Sequence, residues 1–307
     1  MGLRILFIGG TPRGFELIKM LIRKKEHVVH AFILQEDAHE PFQVSAHIQK
    51  LCRRYAIPST ICKKIDEAWT EDVLAKNIDV AFVLGWRSIL PKKLYSSIPL
   101  GCLTCHDSLL PYYRGFAPTA WAIINGEKNT GVTLFKIDDK GVDAGPIVGQ
   151  KTVRIGRFDT ASKIYPQIVK FSVKLYEEFL NDHKRGAIKY RKQDESRATY
   201  ALRRRPEDGQ VMWNQEARKV FNVMRALTPP YPYSWSQNQG QKFWITQASL
   251  VTGRLKLKKA VAGEIVDVDN KAVVACGRGF VALHEIIDGT KKKINLRRFL
   301  KKGTILG

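Results

Sequence analysis

The chain has 307 residues, 44% apolar and 10% aromatic: enough for two domains with cores of their own, and too hydrophobic for a disordered chain. Its formal charge of +22 speaks to solubility and polyanionic partners rather than to fold, and most of the excess lies in residues 184–307, with 26 Lys or Arg against 10 Asp or Glu. No apolar run reaches the ~20 residues of a membrane-crossing helix, and five cysteines with no export signal read as reduced thiols of a cytoplasmic protein.

Residues 3–8 form a short apolar run that ends at Gly9-Gly10-Thr11-Pro12, so they read as a first strand rather than a signal peptide. Residues 14–24 have helical spacing, with Phe15, Leu17, Ile18 and Leu21 apolar. A second strand is predicted over 27–34 and a helix over 43–55, stopping before Pro58. Residues 79–84 and 101–105 are the next apolar runs. Short apolar runs alternating with helical segments predict an open, mostly parallel Rossmann-like α/β sheet, which binds ligands at the carboxyl ends of its strands. Residues 130–137 and 146–153 read as further strands. Residues 161–180 read as a long helix, with Ile164, Ile168, Phe171, Leu175 and Phe179 at three- and four-residue spacing.

The texture then changes. Residues 186–204 are polar and basic and read as a linker between a catalytic domain over 1–185 and a second domain over 205–307. One amphipathic helix over 216–227 is followed by β-like runs at 242–247, 263–268, 272–276 and 280–286, which suggest a small OB-like β domain.

The stretch richest in chemistry is 104–149. His106 follows a strand end, and Asp143 lies in a Gly-rich loop between two strands. A His and an Asp on neighbouring strand-end loops can converge, the imidazole donating to a developing oxyanion while the carboxylate orients it. On spacing alone such a pair is more often structural. Cys102-Leu103-Thr104-Cys105-His106 also fits the C-x-x-C-H pattern of haem attachment, but that chemistry needs export, and the motif falls within a strand. No second Cys/His cluster supplies further zinc ligands, so no metal is expected. Gly9 to Gly14 follows a strand and opens a helix, a place where Gly10, Thr11 and Arg13 could meet a phosphate.

The ordered set His106, Ser108-Leu109-Leu110-Pro111, Arg114-Gly115, Thr130-Gly131-Val132-Thr133 and Asp143-Ala144-Gly145 resembles the folate-dependent formyltransferase family. The resemblance continues through Arg205-Pro206-Glu207-Asp208-Gly209, Trp213, Arg225-Ala226-Leu227, Pro230-Tyr231-Pro232 and Val274-Ala275-Cys276-Gly277, and so covers nearly the whole chain. It implies transfer of a formyl group from 10-formyltetrahydrofolate to an amine, with His106 and Asp143 catalytic. The family's catalytic Asn falls on Thr104, whose hydroxyl is a shorter donor. The resemblance places the pterin along Trp86, Arg87, Ile89 and Leu110 and against the loop of Asp138, Asp139 and Val142. It places the acceptor near Ser108, Tyr112, Tyr113 and Arg114, with Arg114 exposed to a diphosphate.

Two readings of the acceptor and one without an acceptor follow; a further family acceptor, glycinamide ribonucleotide, belongs to enzymes that usually lack such a C-terminal domain. The acidic stretch Glu36-Asp37-Ala38-His39-Glu40-Pro41-Phe42 stands where tRNA enzymes of the family carry a basic loop, and resembles the sugar-nucleotide N-formyltransferases. It favours an amino-sugar nucleotide, dTDP-, UDP- or GDP-linked, on the way to N-formylated sugars of surface polysaccharides such as lipopolysaccharide O-antigen; enzymes of that branch often form homodimers. The basic second half favours methionyl-tRNA instead. A third reading is a catalytically degenerate RNA-binding protein on an OB-like fold, with Thr104 as its lesion.

Overall fold

The computed structural model describes residues 2–37, 42–252 and 260–307. In chain order the elements are β1 (Arg4–Gly9), α1 (Thr11–Arg23), β2 (His27–Leu34), α2 (Ser45–Arg54), β3 (Ser59–Cys62), α3 (Glu67–Leu74), β4 (Val80–Leu84), α4 (Lys92–Ser97) and β5 (Cys102–His106). There follow β6 (Arg114–Gly115), α5 (Pro118–Ile124), β7 (Asn129–Lys136), β8 (Ile147–Arg154), α6 (Ala161–Lys184) and β9 (Tyr200–Ala201). The chain ends with α7 (Ala217–Ala226), β10 (Ser234–Asn238), β11 (Gln241–Leu250), β12 (Ile265–Val268), β13 (Ala272–Ala275), β14 (Phe280–Ile287) and α8 (Leu296–Phe299).

The described residues fall into two compact units, each discontinuous in sequence. The first takes Met1–Gly115, Gly131–Val153 and Pro166–Tyr200. It holds a seven-stranded sheet in the order β3-β2-β1-β4-β5-β7-β8. The strands from β3 to β5 run parallel, and β7 runs antiparallel to β5, with His106 opposite Thr133. β4, with every residue buried, is apolar throughout because both faces of a parallel sheet are covered. Within this unit α6 buries Ile168, Leu175 and Phe179, and its buried Tyr176 hydroxyl donates to the Val83 carbonyl at 2.6 Å. The expected mostly parallel α/β sheet is present. β3 and α3 lie in a stretch without clear periodicity and were not legible. α3 is nonetheless capped, with the Asp66 side chain accepting from the Trp69 amide at 2.9 Å.

The second unit takes Phe116–Thr130, Arg154–Tyr165 and Ala201–Gly307. Its five-stranded sheet, β10-β11-β14-β13-β12, is antiparallel throughout. α7 lays Val220, Phe221 and Met224 into a core with Trp213, Phe243 and Leu283. The expected small C-terminal β domain is thus present, with one more strand, β10, than the sequence suggests.

The segment read as a linker is not a free connection. Arg191 exchanges both backbone hydrogen bonds with Ile147, at 2.8 Å each, and the Arg114 amide donates to the Thr199 carbonyl at 2.8 Å. Residues up to Tyr200 belong to the first unit. Among the described residues no helix is long and apolar enough to cross a membrane.

Candidate active site

β5 delivers His106 at its carboxyl end, and the turn between β7 and β8 delivers Asp143 beside it. The His106 Nδ1 lies 3.4 Å from Asp143 Oδ2. The other ring nitrogen, Nε2, lies 2.7 Å from the Tyr113 carbonyl oxygen. A carbonyl only accepts, so Nε2 carries a proton and donates, and a neutral ring keeps its lone pair on Nδ1, toward Asp143. The pair is therefore built to take a second proton at Nδ1 beside a carboxylate. Both ring nitrogens are engaged, so donation from His106 to an oxyanion, as the resemblance implies, requires one of these contacts to be given up.

Both partners of His106 sit in the left-handed backbone region, with φ of 53° at Asp143 and 58° at Tyr113. Such conformations cost on the order of 1–3 kcal/mol each at non-glycine residues and persist only where the surroundings hold them. Asp143 Oδ2 accepts from the Gly115 amide at 2.9 Å. Gln193 Nε2 donates to the Asp143 and Gly145 carbonyls, at 2.7 Å each. Gly145 permits this close packing, because a Cβ there would lie 1.7 Å from the Lys136 carbonyl oxygen. The Tyr113 amide donates to Thr199 Oγ1 at 2.8 Å.

Arg114 completes the brace. It is 1% exposed and donates through Nη1 and Nη2 to the two Glu195 carboxylate oxygens at 2.7 Å each. Its Nη2 also reaches Gln193 Oε1 at 2.8 Å. Arg114 was expected at the surface facing a diphosphate; it is instead a buried strut, because Glu195 and Gln193 satisfy its fork. Gln193, Glu195 and Thr199 were invisible to sequence reasoning. They are isolated polar residues in a basic stretch, and their only local signal is the turn that Asp194 caps.

The other expected acceptor residues separate. Ser108 is buried and donates to the Tyr112 carbonyl at 2.6 Å. The Tyr112 hydroxyl accepts from Arg197 Nε at 2.8 Å. The glycines of residues 9–14, read from sequence as a place for a phosphate, serve close packing. A Cβ on Gly10 would lie 2.5 Å from Leu34 Cβ, and one on Gly85 would lie 2.2 Å from the Gly10 carbonyl oxygen and 2.4 Å from Thr11 Oγ1. The loop packs closely on protein, and Arg13 is turned to Asp107 at 2.7 Å and to Ser172 Oγ at 3.0 Å.

A cleft of ≈ 290 Å³ opens beside the pair. Thr104 and Asp143 line it, with Trp86 and Asp138. Ile89 and Val142, 94% and 62% exposed, stand at its wall. Of the residues expected at the pterin, Trp86, Ile89, Asp138 and Val142 thus meet at one cavity. Leu110 is buried with Phe135 and Ile147, Arg87 is exposed, and Asp139 pairs with Lys92 at 2.7 Å; these three are not among the lining residues. The Trp86 indole Nε1 is buried without a hydrogen-bond partner. An orphaned donor between exposed apolar side chains is a fit for a flat heterocycle that carries acceptors on its edge.

Burial pushes the Cys102 and Cys105 thiols up to about 12, so neither is a ready thiolate for haem or redox chemistry. All five cysteines are free. Among the described residues no cluster of His, Cys, Asp or Glu could hold a metal.

The family model described as formyl transferase matches residues 3–180, and the one described as formyl transferase, C-terminal domain, matches residues 203–303. The chain belongs to the formyl transferase family. Membership makes it a folate-dependent N-formyltransferase, as the ordered motifs implied. Among curated relatives, methionyl-tRNA formyltransferases of Citrifermentans bemidjiense and Thermodesulfovibrio yellowstonii are each 30% identical, over 97% and 96% of this chain and 93% and 94% of their own. Among solved structures, the sugar 3N-formyltransferase WlaRD, determined with dTDP and 5-N-formyl-THF, has a TM-score of 0.67 at 17% identity, over 96% of this chain and 99% of that one. HypX from Aquifex aeolicus in complex with tetrahydrofolic acid has a TM-score of 0.63 at 18% identity; the match covers 98% of this chain and just under half, 48%, of HypX. At these identities the structures show the shared fold.

Proposed function

We propose that the chain transfers the formyl group of 10-formyltetrahydrofolate to the α-amine of methionyl-tRNA. The observation that carries this is the end-to-end similarity, at 30% identity, to methionyl-tRNA formyltransferases of full length. The amino-sugar nucleotide, first by sequence, rested on repulsion between phosphate and the acidic stretch after β2. That repulsion is weakened locally. The Glu36 carboxylate accepts from the Val44 amide at 2.8 and 2.9 Å and from the Ser45 amide at 3.0 Å, at the start of α2. Asp37 pairs with Lys63 at 2.8 Å. The remainder of the stretch, Ala38 to Pro41, lies outside the described residues.

When bound, 10-formyltetrahydrofolate supplies the electrophilic formyl carbon. Trp86, Ile89 and Val142 would hold its ring in the cleft, with the orphaned indole N–H meeting an acceptor on it. Asp143 takes the proton that the attacking amine gives up, shares it with His106 Nδ1, and returns it to the folate nitrogen as the nitrogen–formyl bond breaks, so that tetrahydrofolate leaves and the acceptor keeps the formyl group as an amide. The Thr104 hydroxyl, on the cleft wall, donates to the oxygen on which negative charge develops; one such donor is worth ~10²–10³ in rate. Incubating the chain with 10-formyltetrahydrofolate, methionyl-tRNA and a panel of amino-sugar nucleotides tests this. Formyl-methionyl-tRNA is the expected product. Formylation of a sugar nucleotide alone refutes the acceptor, and RNA binding with no turnover on any acceptor refutes the enzyme.

A further inference from the structure

His106 is oriented through the carbonyl of Tyr113, seven residues further on. Residues 107–113 between them form neither helix nor strand, so the shape of this loop depends on what satisfies its backbone groups. At its centre Leu110 is held on both of them. Its amide donates to Thr133 Oγ1 at 3.0 Å, and its carbonyl accepts from Gln150 Nε2 at 2.9 Å. Gln150 Nε2 also donates to Thr133 Oγ1 at 2.9 Å, and Thr133 Oγ1 donates to the Ser108 carbonyl at 2.7 Å. Thr133, in β7, is fully buried and lies opposite His106 in the strand register. Gln150, in β8, accepts through Oε1 from Arg191 Nη2 at 2.8 Å.

The direction of every bond in this chain is forced. The Leu110 carbonyl only accepts and the Arg191 guanidinium only donates, so the Gln150 amide has one allowed orientation, with its nitrogen toward the loop. Two N–H groups then point at the Thr133 hydroxyl and occupy both its lone pairs, which leaves its single proton for the Ser108 carbonyl. Ser108 carries the constraint back to the site. Its hydroxyl donates to the Tyr112 carbonyl at 2.6 Å, one residue before the carbonyl that His106 Nε2 meets. None of Ser108, Leu110, Thr133, Gln150 and Arg191 lines the cleft beside the pair, so this network reaches the reaction only through the imidazole that it aims.

We propose that Gln150 is a positioning residue for formyl transfer. By fixing the loop at Leu110 it holds the Tyr113 carbonyl against Nε2, and so keeps His106 in the tautomer whose Nδ1 lone pair faces Asp143. The proposal rests on the reading of His106 and Asp143 as the reacting pair, and it is independent of which amine is the acceptor. It concerns the opposite partner from Gln193, whose amide holds the Asp143 carbonyl.

The test compares the full chain with Gln150→Met, which conserves side-chain length and removes both ends of the amide. Formyl transfer is measured at saturating 10-formyltetrahydrofolate, with whichever of methionyl-tRNA and the amino-sugar nucleotides the wild-type chain formylates. kcat is expected to fall about 10- to 100-fold, the effect of displacing a reacting group by up to ~1 Å, while KM for folate stays within about twofold. Nitrogen-15 NMR of the histidine rings at pH 8, with the His106 signals assigned by their loss in His106→Gln, reads the tautomer directly. The wild type is expected to be protonated at Nε2, and Gln150→Met to show a mixture of Nε2–H and Nδ1–H forms. Gln150→Glu keeps an acceptor for Arg191 but turns a carboxylate to the Leu110 carbonyl, and is expected to lose as much rate as Gln150→Met or more. Lys151→Ala, which removes the neighbouring side chain and its ion pair with Glu178, is expected to move neither readout. A folded Gln150→Met with wild-type kcat, or one whose kcat falls while His106 keeps the Nε2–H tautomer, overturns the positioning role. If Gln150→Met fails to fold, Arg191→Met at the exposed end of the chain of bonds removes only the donor that orients the amide; it is expected to shift the tautomer in the same direction, with about three- to tenfold lower kcat. A wild-type chain that formylates none of the acceptors refutes the acceptor reading, and the tautomer comparison then decides the positioning by itself. Wild-type kcat in His106→Gln sinks the reacting pair and this proposal with it.

Discussion

Replacing Gln193 by Leu removes the brace on Asp143, the proposed proton acceptor, while nearly conserving volume. Its two donated bonds, to the Asp143 and Gly145 carbonyls, go at once with the forked charge-assisted contact that Oε1 accepts from Arg114 Nε and Nη2. Two neutral bonds at ~1 kcal/mol and one charge-assisted bond at ~1.5 kcal/mol set an upper value near 3–4 kcal/mol, and water reaching the half-exposed site reduces it to about 2 kcal/mol. The loss in rate has a separate origin. Asp143 occupies a backbone conformation that costs on the order of 1–3 kcal/mol, and relaxation of that strain moves its carboxylate off His106 Nδ1. At 1.36 kcal/mol per decade, kcat falls about 10- to 100-fold. The assay is steady-state formyl transfer at saturating folate and acceptor, read beside chemical denaturation. Gln193→Glu separates the two roles: it keeps an acceptor for Arg114 yet sets a carboxylate against two carbonyls, so it is expected to lose rate at least as severely. A kcat within twofold of wild type in Gln193→Leu, with stability down by the amount given, would refute the positioning role and leave the brace purely structural.

Asp143→Asn keeps an oxygen for the Gly115 amide but removes the proton acceptor; kcat is expected to fall about 10³-fold with the fold unchanged by circular dichroism. Thr104→Val removes the cleft hydroxyl at constant shape and is expected to lower kcat ~10²-fold with little change in KM, whereas Thr104→Asn restores a donor and keeps the rate at or above wild type. Trp86→Phe keeps an aromatic face, smaller than the indole, and removes the N–H, so folate affinity measured by equilibrium titration is expected to drop at least about fivefold, the worth of one hydrogen bond. The buried thiols set an alkaline limit. Cys102, Cys105 and Cys276 are each pushed up to about 12 by burial, above the 9.0 of a free thiol. The unfolded chain then releases protons that the folded chain retains, so this stability is whole below pH ~9 and is lost as pH rises toward ~12. Denaturation midpoints that stay flat from pH 8.5 to 11 would contradict it.

The strands that carry the site were legible because they are buried on both faces: β1 and β4 are apolar at nearly every position, and runs of that kind have few alternative readings. His106 and Asp143 were legible through the ordered motifs around them and not through their spacing. What was lost is instructive in each case. Arg114 looks in sequence like any arginine after two tyrosines, and only the arrival of Glu195, 81 residues later, turns it inward. Gly10 and Gly14 resemble a phosphate loop because glycine serves close approach in general; here the close approach is to Leu34 and to the Leu84 carbonyl. Glu36 and Asp37 read as repulsive charge because a sequence does not show that a helix start and a lysine await them.

The brace also orders events in time. β5 and the loop that carries Asp143 are complete once residue 145 has been made, but part of what braces Tyr113, Arg114 and Asp143 comes later, from Thr199, Glu195 and Gln193. A chain emerging from the ribosome therefore carries His106 and Asp143 some fifty residues before the brace on Asp143 is made, since Gln193 follows Asp143 by 50 positions. Until that stretch emerges, the Arg114 guanidinium lacks the Glu195 carboxylate that its fork meets in the folded chain.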